Sequence, residues 1–301
     1  MIFSILITTY NRLQELKITL KSLEEFYLSG KIEFIICVDG ANDGTYNYLK
    51  EFYPDIVLIN HLKPQGLIAS RNEMLNLTKA QYAISLDDDS NFLSNNVLNN
   101  ILKLFKSHPK CAVQAFSIFW GTNKPINQYA YEKAKQVKGF VGCGHVWNMK
   151  AWRSIPNYPD WFIFYGEEEF AAFQLLKQDW EIYYNPEVLV HHRVDVKKRS
   201  MQKDYSIRLR RSLRSGWYLF FLFYPIREIP KRFFYTLWIQ FKKKVFKGNY
   251  KAVVPIIKAL YDILANTPRL IANRNRLSQN EFEEFSKLPD VKLYWKPNKT
   301  N

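Results

Sequence analysis

Short, uncharged, β-favouring runs alternate with helix-patterned segments through the first third of the chain, and each run stops at a polar cluster. Ile2-Phe-Ser-Ile-Leu-Ile7 leads into Thr8-Thr-Tyr-Asn-Arg12, and Leu13, Leu16, Leu20 and Leu23 follow at the spacing of an amphipathic helix. Phe34-Ile-Ile-Cys-Val38 runs into the glycine-rich turn Asp39-Gly-Ala-Asn-Asp-Gly44. Ile56-Val-Leu-Ile59 reads as a third strand, residues 66–77 as a helix carrying Arg71 and Asn72, and residues 82–86 as a fourth strand. This alternation predicts an α/β fold with a mostly parallel sheet flanked by helices on both faces. Ligands of such sheets bind beyond the carboxyl ends of the strands. Thr9, Asp39 and Asp87 all sit at such ends and are expected to converge on one crevice.

The fourth strand ends in Asp87-Asp88-Asp89. Two aspartates one residue apart suit a hard divalent cation, Mg²⁺ or Mn²⁺, which in turn grips a diphosphate. The plainer alternative is an acidic turn in which one aspartate caps a helix and the others are solvated. Further along, Glu167, Glu168 and Glu169 follow Gly166 and the aromatic run Trp161-Phe-Ile-Phe-Tyr165 and open a helical segment. Acids in a first helical turn complement the macrodipole by only about 0.3–1 kcal/mol. Crowded into a partly apolar cleft, however, at least one has its pKa raised, as a general base requires. His191 and His192 end a short strand, and strand alternation lets only one of them enter the cleft. Gly142-Cys-Gly-His145 is suited to a close backbone approach.

Taken in order, Thr8-Thr-Tyr-Asn-Arg12, Val38-Asp-Gly-Ala-Asn-Asp-Gly-Thr45, Arg71-Asn72, Leu86-Asp-Asp-Asp89 and Phe164-Tyr-Gly-Glu-Glu-Glu-Phe170 resemble the family-2 glycosyltransferases of the GT-A fold. Tyr184-Asn-Pro186 and His191-His192 extend the resemblance to about residue 195. It implies a metal-dependent, inverting transfer of a sugar from a UDP- or dTDP-linked donor to a hydroxyl. Asp89 and Asp87, with His192 or else His191, would hold Mn²⁺ or Mg²⁺. Thr9, Tyr10, Arg12, Asp39, Arg71, Asp87, Asp88 and Gly142 would bind the nucleotide-sugar, with Asp39 accepting from a pyrimidine N–H and Arg71 gripping phosphate. Glu168, with Glu167 second, would be the base. The usual Glu-Asp pair of the family is Glu167-Glu168 here, its next acid falls on Phe170, and the arginine of the following helix falls on Gln174.

Charge divides the chain. Residues 1–192 hold 18 Lys+Arg and 20 Asp+Glu, net −2, whereas residues 193–301 hold 25 and 8, net +17. The basic part is also aromatic, with Trp217, Phe233, Phe234, Tyr235 and Trp238 among Arg214, Lys231, Arg232 and Lys242-Lys-Lys244. Its uncharged stretch, residues 215–226, is shorter than the roughly 20 residues a spanning helix needs. Two regions are expected: a GT-A domain over 1–205 and a helical, membrane-associating region over 206–301, peripheral on the inner face of the cell membrane. No signal segment is expected ahead of the first strand, and three cysteines without paired spacing fit a reducing cytosol. A nuclease or nucleotidyltransferase would place basic residues around the carboxylates, and the N-terminal part is slightly acidic, so no nucleic-acid partner is expected. An inactive scaffold would lose the Asp or the Glu cluster, and this chain keeps both. Similar proteins build surface polysaccharide on a glycan or lipid-linked acceptor.

Overall fold

The computed structural model describes residues 1–125, 128, 132–194 and 204–291. Among them nine strands form one mixed, mostly parallel sheet. β1 (Phe3–Thr9), β2 (Ile32–Asp39), β3 (Val57–His61) and β4 (Tyr82–Asp87) make a parallel half in the order β3-β2-β1-β4. β8 (Gly144–Asn148) runs antiparallel to β4 and joins it to β6 (Cys111–Trp120), which pairs in parallel with β9 (Glu181–His192). The short strands β5 (Ser90–Phe92) and β7 (Lys135–Val137) both lie antiparallel to β9. The first strand reaches two residues further than its apolar run predicts. Thr8 and Thr9 therefore belong to it, with Thr8 opposite Asp87.

Residues of alternate parity on each strand feed two cores, as a pleated sheet dictates. Ile5, Ile7, Phe34, Ile36 and Ile84 face Leu16 and Leu20 of α1 (Leu13–Ser22), Leu49 of α3 (Thr45–Phe52) and Ile101 of α5 (Val97–Ser107). Between α1 and α3 the short helix α2 (Glu24–Leu28) leads into β2. Leu6, Ile35, Ala83 and Trp147 face the other way, onto Ile68 and Met74 of α4 (Leu67–Leu77) and onto α6 (Met149–Trp152) and α7 (Glu167–Leu176).

That second core continues without a break into α8 (Tyr205–Phe223), α10 (Val253–Ala265) and α12 (Gln279–Lys287). Trp217, Tyr218, Phe223, Ile256 and Phe282 pack there with Phe170 and Phe173 of α7. α9 (Ile229–Lys243) and α11 (Thr267–Ala272) lie further out. The region after residue 205 is therefore docked by burial against the sheet domain. Residues 195–203, which fall within the expected boundary between the two regions, and residues 292–301 lie outside the described residues.

The chain crossing from β9's first half to its second is bulged. Phe116 pairs with Asn185 but Ser117 pairs with Leu189, leaving Pro186 to Val188 unmatched, as a strand proline requires. Tyr184-Asn-Pro186 is thus this irregularity within one long strand, in which Asn185 bonds Gln114 (2.8 Å).

Candidate active site

The loops after β1 and β2 are stitched together beneath the crevice. Asp43 Oδ2 accepts from Leu13 N (2.9 Å) and Asn11 Oδ1 from Asn42 N (2.8 Å). This fixes Arg12 over the aspartate turn, where Nη1 lies 3.1 Å from Asp88 and Nη2 2.7 Å from Asp89.

The three aspartates have three different surroundings. Asp88 points into the protein and accepts from Thr9 Oγ1 (2.9 Å), while its carbonyl accepts from Thr19 (2.7 Å). Burial pushes its carboxyl up to about 7, against Arg12 and aided by Asp89. Asp89 is equally buried, but His192 and Arg12 outweigh burial and hold it well below the usual carboxylate range. Asp87, at the lip, is about a third exposed and bonds Arg71 Nη2 (2.9 Å).

β5–β9 pairing sets Ser90 opposite His192 and so carries the imidazole back to the aspartates. Its Nε2 is 3.0 Å from Asp89 Oδ1 and 3.8 Å from Asp87 Oδ2. Burial opposes protonation of His192, but the Cys143 sulfur and the carboxylates of Asp89 and Asp87 push it up to about 11. One ligand atom from each of Asp87, Asp89 and His192 lies within 4.8 Å of the others. Asp89 Oδ1 is buried and has no partner beyond the 3.0 Å approach of His192. A buried carboxylate oxygen, a second carboxylate and an imidazole on one point fit a divalent cation of the Mn²⁺ or Mg²⁺ kind. His191, the alternative ligand, is turned to the opposite face and meets Gly121 O (2.7 Å), so it is removed from this group.

Facing the aspartates, α7 begins at Glu167. Arg71, reaching up from α4, ties the two walls: Nη2 bonds Asp87, and Nη1 lies 2.9 Å from Glu167 and 3.4 Å from Glu168. Arg71 is buried, with its fork committed to carboxylates, where the sequence suggested a fork offered to phosphate. Glu168 is pushed up to about 8 by burial and by the charge of Glu167, with Arg71 pulling the other way. Glu169 rises to about 7 by burial and the charge of Glu168. Gly142 makes its close approach to the side chains of Glu168 and Arg71. A Cβ there would collide with Glu168 Oε1 and come within 2.7 and 2.8 Å of the Arg71 nitrogens.

The start of α7 is aimed by a strained turn. Phe164 N donates to Phe162 O (2.8 Å) around Ile163, which has φ 69 and ψ −47, the geometry of a γ-turn and costly for a β-branched residue. Tyr165 (φ 71) and Gly166 (φ 87) are left-handed too. The turn is held by α8: Arg214 donates to the same Phe162 carbonyl, and Ser215 Oγ to Phe164 O (3.3 Å). Arg214 is itself buried 3.9 Å from Asp262 of α10, which Arg210 also grips (2.7 Å). The sequence gives no sign of this support.

A cleft of about 550 Å³ runs between these walls, lined by Arg71, Asp87, Gly142, Cys143, Glu167, Glu168 and His192, with Tyr205, Arg208, Leu209 and Ser212 of α8 closing one side. Thr9 and Asp88 lie beneath it, and Tyr10 is exposed. Asp39 accepts from Gln65 N (2.7 Å) and Gly66 N (2.9 Å), and His61 bridges it (2.8 Å) to Glu73 (2.7 Å). Its carboxylate thus shapes the loop ahead of α4.

Residues 4–173, more than half of the chain, match the profile of glycosyl transferase family 2. The chain belongs to that family. It is a glycosyltransferase, and its fold is GT-A. No curated protein matches the sequence. Solved structures match the fold at low identity. The GalNAc-T7 structure with UDP, GalNAc and Mn²⁺ has a TM-score of 0.58 at 12% identity, over 73% of this chain and 48% of that one. The mannosyltransferase PcManGT from Pyrobaculum calidifontis, with GDP-Man and Mn²⁺, has a TM-score of 0.56 at 15% identity, over 95% and 83%. S. aureus TarS (1-349) has 0.51 at 13%, over 73% and 66%. The chain therefore spans about half the length of the first of these transferases.

Proposed function

We propose that this transferase moves a hexosyl or deoxyhexosyl unit, with inversion, from a UDP- or dTDP-linked donor to a hydroxyl of a lipid-linked glycan in cell-surface polysaccharide assembly. The observation that carries the reading is one cleft with Asp87 and His192 on one wall, Asp89 buried within 4.8 Å of both, Glu167 and Glu168 on the other wall, and Arg71 between them. Asp87, Asp89 and His192 would hold Mn²⁺ or Mg²⁺, which when bound supplies positive charge for a departing diphosphate. Glu168 takes the acceptor proton. A carboxylate whose pKa is lifted to about 8 is a stronger base than an ordinary one, and its ionised, proton-accepting form grows as pH rises through that value. Arg71 keeps Glu167 and Glu168 from repelling each other out of the cleft. Gly142 leaves room for that pairing. Arg12 secures Asp88 and Asp89, Thr9 secures Asp88, and Asp39 and Tyr10 border the donor base. Structures of the same fold are captured with UDP and, in PcManGT, with GDP-Man, so the choice of a pyrimidine donor rests on Asp39 and Thr9 rather than on them.

The test is nucleotide release from UDP-, dTDP- and GDP-sugars in Mn²⁺, in Mg²⁺ and in excess chelator. Release from a pyrimidine donor that stops with chelation is expected. Turnover confined to GDP-sugars would overturn the nucleotide assignment, and undiminished turnover in chelator the metal.

A further inference from the structure

The outer surface of the C-terminal helices carries large apolar side chains in two helical stripes. On α9, Phe234, Tyr235 and Trp238 are each more than half exposed, while Phe233, Leu237 and Phe241 of the same helix turn to the core. Lys231 and Lys242, a turn before and after, continue the exposed stripe at spacings of three and four. Phe246, also exposed, meets Trp238 (ring centroids 5.7 Å apart) and carries the surface past the helix end. On α10, Val254, Ile257, Tyr261 and Leu264 are exposed at spacings of three and four, opposite buried Ile256, Ala259 and Ile263. Isolated apolar side chains on a surface are ordinary, but two stripes each repeating at helical spacing are not.

Charge identifies the occupant. Residues 229–261 contain eight Lys and Arg and no Asp or Glu. Two copies of so basic a face repel each other, which excludes self-pairing as its purpose. Exposed aliphatics such as Val254, Ile257 and Leu264 gain nothing from a phosphodiester backbone, which argues against nucleic acid. An anionic lipid surface satisfies both features: aromatic and aliphatic groups enter at headgroup depth, while lysine stems lie along them with ammonium groups at the phosphates. Among the described residues no helix is long and apolar enough to cross a membrane.

We infer that α9, with Phe246 and the exposed face of α10, is an in-plane docking surface for anionic membrane, used at the inner face of the cell membrane. The inference deepens the proposed function and rests on its lipid-linked acceptor for its purpose.

The experiment is co-sedimentation of the full chain with phosphatidylcholine vesicles, with and without phosphatidylglycerol, alongside donor hydrolysis in solution. Binding is expected only with phosphatidylglycerol and should fall with salt. Replacing Lys242, Lys243 and Lys244 by Glu should lower partition by about a hundredfold or more, from about fivefold per basic charge. F234S/W238S should lower it by at least about tenfold while hydrolysis stays at the wild-type rate, since neither residue is near the cleft. Absence of binding to anionic vesicles at low salt overturns the inference. So does wild-type binding by F234S/W238S, a wild-type dimer that this variant dissolves, or displacement of the protein from vesicles by RNA at equal charge. Loss of hydrolysis in the wild type with vesicle binding intact would instead strike the catalytic reading.

Discussion

Replacing Arg71 by methionine keeps a side chain of similar length and removes the charge that Asp87, Glu167 and Glu168 share. The guanidinium contacts them at 2.9, 2.9 and 3.4 Å, and its side chain is only 5% exposed. Breaking a buried ion pair from one side costs about 3–5 kcal/mol, because the partner is left uncompensated. Proton uptake offers relief. Glu167 and Glu168 are already raised by burial, Glu168 to about 8, and loss of Arg71 raises both further. Raised carboxylates contribute stability below their unfolded value of about 4.5 and lose it as pH rises through their folded values. The R71M deficit should therefore be smallest in mild acid and approach about 3–5 kcal/mol above pH 8 or so. At about 2–4 °C per kcal/mol, Tm should fall by roughly 6–20 °C there. Urea unfolding of wild type, R71M and R71M/E168Q across this range measures it, and the double variant should recover part of the loss. A deficit below about 1 kcal/mol in alkali, or one that shrinks as pH rises, refutes the claim that Arg71 holds these carboxylates.

Asp89→Asn should keep the fold and lose both turnover and Mn²⁺ binding by calorimetry, and full turnover would remove Asp89 from the metal site. Glu168→Gln should bind donor normally but transfer about 10²–10⁴-fold more slowly. In the wild type transfer should climb as pH rises through about 8, so a flat profile would point to another base. Arg214→Met should lower kcat by up to about a hundredfold with little change in donor KM, because a misplacement of about 1 Å has that effect. An unchanged kcat would mean that the γ-turn holds itself.

The parallel half of the sheet was readable because each apolar run of β1, β2 and β4 stops abruptly at polar side chains, which marks both the strand and its ligand end. The aspartate turn and the glutamate helix start were readable for the same reason. Alternation showed that one histidine alone could enter the cleft. Which one depends on the phase of β9, and the bulge at Pro186 to Val188 resets that phase by an amount the sequence does not display. Arg71 read as a phosphate ligand because its buried partners, Glu167 and Glu168, are almost a hundred positions away. The supports from α8 were invisible for a stronger reason. Arg214 donates to a backbone carbonyl, and any residue at position 162 would supply one. Cys143 drew attention only as part of a glycine-flanked close approach, yet it stands beside His192 and lines the cleft.

The γ-turn at Ile163 has a consequence for the timing of synthesis. A left-handed β-branched residue and its neighbours store about 1–3 kcal/mol each and revert unless something holds them. Their holder, Arg214, leaves the ribosome 52 residues after Phe162, and its own anchor, Asp262, later still. A growing chain therefore completes the aspartate side of the cleft first and the glutamate side last. A product cut short before α10 would carry the aspartate wall with its glutamates unaimed, which under the proposed function leaves a donor site without its base.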